Sequence, residues 1–278
     1  MRLSEVGPSA TASFRILLAL PVLWALVLWE RSKNPSAVQP SSPPDFLMLL
    51  IAGLFFSADL SIWHWSLQFT SVANSTLLTN FAPIFVTLGA RVLLGERISG
   101  LFIMGMVLAL GGAVMLVAES FSLNWKNLLG DVLALVGAVF YGGYLLSVKF
   151  LRRSLSTMAI MAWSGLVSCP TLYLVGMLSS ERLRVADLRG WAVLLALALL
   201  SHVGGQTLIA YALGHLPASF SALTLLGQPV MAALLAWGLL HEPLSVLQGI
   251  GGSIVLVGIA IASQSRLHAV QPQQVASL

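Results

Sequence analysis

Charge is what this chain has least of. Acidic and basic residues fill 9% of its 278 positions, where a soluble domain carries about 25%. Cysteine is nearly absent too: Cys169 stands alone beside Pro170 in an apolar run, so no intrachain disulfide forms. The chain has no HExxH, GxSxG or Walker A motif and no cluster of Cys and His. Those absences argue against metalloprotease, serine-hydrolase and nucleotide-driven readings, and against a bound metal or other cofactor. The net charge of +4 is small and scattered, which argues against a nucleic-acid partner.

What is present is grease. Hydrophobic residues make up 58% of the chain and its mean hydropathy is +0.91. Spans of about 20 apolar residues cross a bilayer as helices, and nine such runs are found, at 10–29, 46–67, 71–94, 98–117, 128–149, 156–178, 190–211, 217–240 and 246–264. The first run follows Arg15 but ends in Trp29, Glu30 and Arg31 without a small-x-small cleavage site, so it reads as a retained span rather than a signal peptide. The fold expected is all-α and polytopic. The longest connection, Glu30 to Asp45, is rich in Pro and Ser and is not helical throughout.

Basic residues set the orientation. With alternate loops assigned to the cytoplasm, Arg31, Lys33, Arg91, Arg97, Lys149, Arg152, Arg153 and Arg266 fall inside. Arg2, Lys126, Arg182, Arg184 and Arg189 fall outside. The bias is moderate and predicts an external N-terminus and a cytoplasmic C-terminus.

The chain repeats itself. "STLLTNFAPIFVTLGARVLLGERISG" (75–100) aligns with "SALTLLGQPVMAALLAWGLLHEPLSV" (221–246) at an offset of 146 (242 − 96 = 146). Ser75, Pro83, Glu96, Ser99, Gly105 and Gly112 meet Ser221, Pro229, Glu242, Ser245, Gly251 and Gly258. Leucine and alanine matches come easily between membrane helices, whereas Pro, Glu and two Gly at one offset do not. Five spans separate equivalent helices, so the copies face opposite ways, the pattern of inverted-topology repeats in secondary transporters. The divisions expected are a first repeat at 1–117 with four spans, an external loop at 118–127, a second repeat at 128–264 with five spans, and a polar cytoplasmic tail at 265–278. The span at 128–149 has no partner in the first half. The opening "MRLSEVGPSATASF" reads like an inter-helix loop, which favours a true first helix upstream of this chain over a nine-span protein.

The corners "LLGERIS" and "LLHEPLS", the preceding "NFAPIF" and "LGQPVM", and the Gly-rich helices after them resemble the EamA-type drug/metabolite transporter superfamily, over Pro8 to Ser263. The resemblance implies two five-helix inverted repeats, a central cavity, and movement of small metabolites, amino acids or drugs across the plasma membrane, often outward. It is written in combinations of motifs that are weak singly.

Asp59, in "FFSADLSIWHWSLQF", is the one deep acid of the chain. At the centre of a membrane helix it costs about 2.5–3.5 kcal/mol on insertion scales, and such groups mark ion or substrate pathways. It acts as a proton carrier, as an anchor for a cationic group, or as a hydrogen-bonded tie between helices. Trp63 shares its face and is placed to stack on a substrate. His64 lies on the opposite face with Ser57, Ser61 and Gln68, and either titrates near neutral pH or packs near the interface. Asn80 is a site candidate on the next helix. Tyr141 and Tyr144 suit a cavity wall. His202 and Gln206 lie four apart, and His202 sits near the depth of Asp59 (202 − 146 = 56), so the internal symmetry can bring the two across one cavity. Gln228, before Pro229, completes the candidates. Pro83 and Pro229 read as kinks. Glu96 and Glu242 read as structural acids that satisfy free amides at the helix starts they precede. Arg15 is expected to snorkel outward or to pair with an upstream helix.

These features favour a secondary carrier working by alternating access, an exporter, with proton coupling as an addition. The alternatives are a channel or a non-transporting membrane scaffold. The partners implied are the lipid bilayer, a small-molecule substrate and, if coupled, protons, with a homodimer allowed. The location implied is the plasma membrane, as a multi-pass protein of a bacterial inner membrane.

Overall fold

A computed structural model of the chain describes residues 6–34, 39–118, 127–185, 187–240 and 245–270. Glu242 therefore lies outside the described residues. Among them, nine helical spans are long and apolar enough to cross a membrane, from Pro8–Lys33 to Val246–Ser265. They are built from α1 (Pro8–Lys33), α2 (Pro43–Phe69), α3 (Val72–Thr79), α4 (Ala82–Leu93), α5 (Gly100–Val117), α6 (Leu128–Leu151), α7 (Thr157–Leu178), α8 (Leu188–Ala196), α9 (Thr207–His215), α10 (Ala218–Thr224), α11 (Gly227–Leu240) and α12 (Val246–Val270). A π-helical stretch, Leu197–Gln206, joins α8 to α9.

Short polar residues set where helices begin. Ser71, Ser99, Ser156 and Asp187 each accept a hydrogen bond from the amide three residues on, at the starts of α3, α5, α7 and α8. Ser245 and Gln248 exchange bonds in a reciprocal capping box that opens α12.

Two spans expected to be continuous are broken. The third stops at Thr79 and restarts at Ala82, through Asn80 N–H to Thr76 O and Phe81 N–H to Leu78 O, both 3.1 Å. The eighth breaks between Thr224 and Gly227, one residue short of the repeat offset (224 − 79 = 145, 227 − 82 = 145). Proline lacks the amide that a continuous ladder needs. Pro83 and Pro229 sit in the first turn of the restarted segments, where no such amide is required. Their effect is to end a helix and start another rather than to bend one.

The chain packs as two compact units, each drawing on both ends of the sequence: residues 1–65 with 139–216, and residues 66–138 with 217–278. In the second unit, α5 and α12 cross antiparallel at glycines. A Cβ on Gly105 would stand 2.5 Å from Gly258 O, one on Gly112 2.6 Å from Gly251 O, and the reverse contacts are as tight. Backbone therefore lies on backbone, the arrangement small residues permit between membrane helices. In the same unit Asp131 accepts from the Thr70 hydroxyl (2.6 Å) and the Asn74 amide (3.3 Å), tying α6 to the start of α3.

The first unit is held by polar ties. The Ser168 hydroxyl donates to Gly53 O (3.0 Å), and a Cβ on Gly53 would meet Val167 at 2.6 Å, so α2 and α7 are close. Ser13 donates to Cys169 O (2.9 Å), joining α1 to α7. The Glu181 carboxylate accepts from Ala10 N–H (3.0 Å) at the start of α1, and Lys149 donates to Leu213 O and Leu216 O (both 2.9 Å) at the end of α9.

The glycine crossing makes a prediction. Gly112→Leu forces α5 and α12 apart and is expected to cost about 1–3 kcal/mol, read as a lower unfolding midpoint in detergent. Gly111→Ala, one residue away and facing open space, is expected to leave the midpoint unchanged.

Candidate functional site

Five polar residues of α2 are buried, on both of its faces, while Gln68 near its end is exposed. Ser57, Asp59, Ser61, His64 and Ser66 all lie inside, Asp59 at 7% and His64 at 3% exposure. Of the hydroxyls, Ser57 returns to its own helix and donates to Gly53 O (2.9 Å). The imidazole of His64 finds no such outlet. Neither of its ring nitrogens has a hydrogen-bond partner among the described residues.

Other helices of the same unit complete the cluster. From α6 come Tyr141, half-buried, and Tyr144, buried, with ring centroids 6.3 Å apart and nearly parallel. Tyr144 donates its hydroxyl to Met161 Sδ (3.8 Å), and its ring lies 4.8 Å from that of Phe56 on α2. The π-helical stretch supplies His202, 2% exposed, whose ring is 6.0 Å from Phe56. Both nitrogens of His202 and Oε1 of Gln206 also lack partners among the described residues. Two adjacent glycines, Gly204 and Gly205, weaken the α-helical preference here, and π turns of this kind recur at functional sites.

Arg15, on α1, belongs to the same unit. Its charge acts on Asp59 and Tyr144, and also on His64 and His202. Its Nε is buried without a partner. The expectation that Arg15 snorkels outward is therefore corrected: its Nε is buried within the first unit. Asp59 supplies an opposite charge that attracts it there through space. Asp59 also acts on Tyr141 and Tyr144.

The structure thus gathers Asp59, Tyr141, Tyr144 and His202 around Arg15 and Phe56. The direct pairing expected between His202 and Asp59 is not formed. His202 meets Phe56, its own counterpart at the offset of 146, and the charge that acts on it is that of Arg15. Trp63 is half-buried with its ring 5.3 Å from that of His64. Asn80, at the break before α4, and the exposed Gln228 belong to the second unit. Glu96 satisfies free amides, but not those of the helix it precedes. Its carboxylate accepts from Ala218 N–H (2.6 Å), Ser219 N–H (3.2 Å) and the Ser219 hydroxyl (2.6 Å), so it caps α10 while Ser99 caps α5.

Arg15 and Phe56 were missed in the sequence. The signal for Arg15 was available, as a cation inside an apolar run in a chain with one deep acid. Phe56 gave no signal beyond its place at the repeat-equivalent of His202.

A cavity of about 420 Å³ opens at one end of the first unit, lined by Glu30, Asn34, Arg152, Ser156, Thr157 and Tyr211 among others. Burial pushes the Arg152 guanidinium below its ordinary value, and the nearby Glu30 and Tyr211 act against that. Among the described residues no three His, Cys, Asp or Glu side chains gather as a metal site.

A family model described as the EamA-like transporter family matches residues 1–118 and 128–264. Among curated proteins, the chain is similar to the pseudopaline exporter CntI of Pseudomonas aeruginosa (strain UCBPP-PA14), at 26% identity over 219 residues, covering 79% of this chain and 75% of that protein. It is also similar to a probable terminal-alkyne amino-acid exporter of Streptantibioticus cattleyicolor, at 25% identity over 240 residues, covering 84% and 78%. A solved crystal structure shares the fold with a TM-score of 0.80 at 19% identity, over 93% of this chain and 89% of that one.

The partnerless imidazole of His202 makes a prediction about stability. A buried polar group left unsatisfied costs about 1–3 kcal/mol, so His202→Leu is expected to raise the unfolding midpoint of the purified protein. A lowered midpoint shows instead that the ring is held there by packing.

Proposed function

The chain belongs to the EamA-like transporter family, and from that premise we propose that it is a secondary active exporter of a small solute, working by alternating access with Asp59 as its coupling group. It is a multi-pass membrane transporter of a family of transporters rather than enzymes. One observation carries the finer reading: the buried carboxylate of Asp59 shares the interior of one unit with Arg15 and with two imidazoles whose nitrogens have no partners there. Charged groups inside a membrane protein face its interior or a water-filled cavity and mark ion and substrate pathways. Export is supported by the two relatives above, both of them exporters by name.

The energy comes from a gradient, since the chain carries no nucleotide-binding motif. Proton and substrate compete for the Asp59 carboxylate: protonation on the outer side releases the solute, and deprotonation on the inner side readmits it. The inverted repeat supplies two exchangeable arrangements of equivalent helices. The orientation read from the basic residues puts the C-terminus in the cytoplasm. It also places the cavity lined by Glu30, Asn34 and Arg152 on the cytoplasmic side, where an exporter loads. The membrane is the bacterial inner membrane.

Asp59→Asn is expected to lose pH-gradient-driven flux in proteoliposomes entirely, while counterflow persists at saturating substrate with a raised KM. A variant that still accumulates substrate against its gradient in response to pH removes Asp59 from the coupling step. Non-saturable flux without counterflow in the unmodified protein identifies a channel instead.

A further inference from the structure

The cavity of about 420 Å³ lies at the end of the first unit that the basic residues place in the cytoplasm. Small-molecule sites span ~300–1,000 Å³. Its walls come from the end of α1 (Glu30, Asn34), the turn after α6 (Arg152, Arg153), the start of α7 (Thr157) and α9 (Tyr211). None of these residues belongs to the cluster around Asp59.

Two atoms of this wall are buried with no hydrogen-bond partner among the described residues, Oε2 of Glu30 and Nε of Arg152. One is an acceptor and the other a donor, yet they do not satisfy one another. Arg152 is held in place. Its Nη1 donates to Leu155 O (2.7 Å), and its guanidinium lies so close over Gly214 that a Cβ there would stand 2.5 Å from it. Its fork is therefore oriented before a ligand arrives. Arg153 adds a second, exposed cation, 5.6 Å above the ring of Phe150. The surroundings along the chain are apolar: Leu28 and Trp29 before Glu30, and Phe150 before the two arginines, are all exposed. A tryptophan at the end of a membrane span sits at the level of the lipid headgroups.

We propose that this cavity holds a phospholipid headgroup in which a phosphate is joined to a primary ammonium, that of phosphatidylethanolamine, with Arg152 and Arg153 taking the phosphate and Glu30 the ammonium. Guanidinium groups match phosphate oxygens bidentately, and basic pockets on the cytoplasmic side of membrane spans bind lipid headgroups. A primary ammonium carries the N–H donors that Oε2 of Glu30 lacks. Phosphatidylcholine has the same phosphate and the same net charge, but its quaternary nitrogen has no N–H and leaves Oε2 unsatisfied. Phosphatidylglycerol brings a net negative charge to the Glu30 carboxylate. The leaflet follows from the placement of the basic residues, so the inference stands apart from the carrier reading and adds a lipid to the cavity on the loading side.

The test is titration of the purified, delipidated full-length chain in detergent, read by native mass spectrometry, with dioleoyl phosphatidylethanolamine, phosphatidylcholine and phosphatidylglycerol. The ethanolamine lipid is expected to bind at least about tenfold tighter than either of the others, which is about 1.4 kcal/mol. Glu30→Leu is expected to abolish the preference over phosphatidylcholine and to strengthen phosphatidylglycerol. Arg152→Gln is expected to weaken all three, and Arg152→Lys to recover part of that loss. A gain for one lipid beside a loss for another cannot come from misfolding. Equal binding of the three lipids, an order unchanged by Glu30→Leu, or binding unaffected by Arg152→Gln overturns the site. Soluble glycerophosphoethanolamine is titrated beside them by calorimetry. Binding as tight as that of the lipid overturns the bilayer as its source, and markedly weaker binding supports it.

Discussion

A charge held inside a membrane protein has no water to fall back on, and in this chain that constraint organises a whole unit. Arg15 on a neighbouring helix acts on Asp59 through space, and in the same unit the rings of Phe56, Tyr141, Tyr144 and His202 pack on one another. The surrounding ties follow the same logic. Ser13, Ser57 and Ser168 each spend their hydroxyl on a backbone carbonyl, which satisfies those groups where α1, α2 and α7 approach. Among the described residues the ring nitrogens of His64 and His202 and Nε of Arg15 are buried without such partners.

The second unit solves a different problem. α5 and α12 meet through glycines at a separation that leaves no room for a Cβ, so their contact is backbone on backbone and rigid. The matched breaks before α4 and α11, each with a proline in the restarted turn, come from the same internal duplication. Glu96 caps α10 from the far side of the sequence, 122 residues away. Removing this carboxylate leaves the free amides of α10 unsatisfied.

Much of the architecture was legible because membrane spans are written in composition. The nine apolar runs fall within a few residues of the observed helices, since only a helix satisfies its own backbone in lipid. The caps at Ser99 and Ser245 were not read from the sequence, where the acids three residues earlier, Glu96 and Glu242, took that role. The breaks at Asn80 and Leu225 were not legible either, because a proline near the middle of a run reads equally as a kink or a restart until the hydrogen bonds are seen. The π-helical stretch was hidden because its residues satisfy an α-helical pattern as well. The buried polar cluster was legible in several of its members and not in its pairing. Asp59, Tyr141, Tyr144 and His202 announce themselves as polar groups in apolar spans. Which cation Asp59 faces depends on helix packing between α1 and α2, and no spacing along the chain encodes that. Glu96 failed the same way: its role as an acceptor of free amides followed from its chemistry, but the helix it serves is a tertiary choice.

The central claim is that the cluster around Asp59 is a pathway and opens to either side of the membrane in turn. The single native cysteine makes it directly measurable. In a Cys169→Ser background, Tyr141→Cys places a thiol in the wall of the cluster, and a membrane-impermeant thiol reagent is applied from each face of oriented vesicles. Labelling from both faces, with saturating substrate or a pH gradient moving the balance between them, is the result the account predicts. A thiol that reacts from neither face, or from one face under every condition, contradicts it.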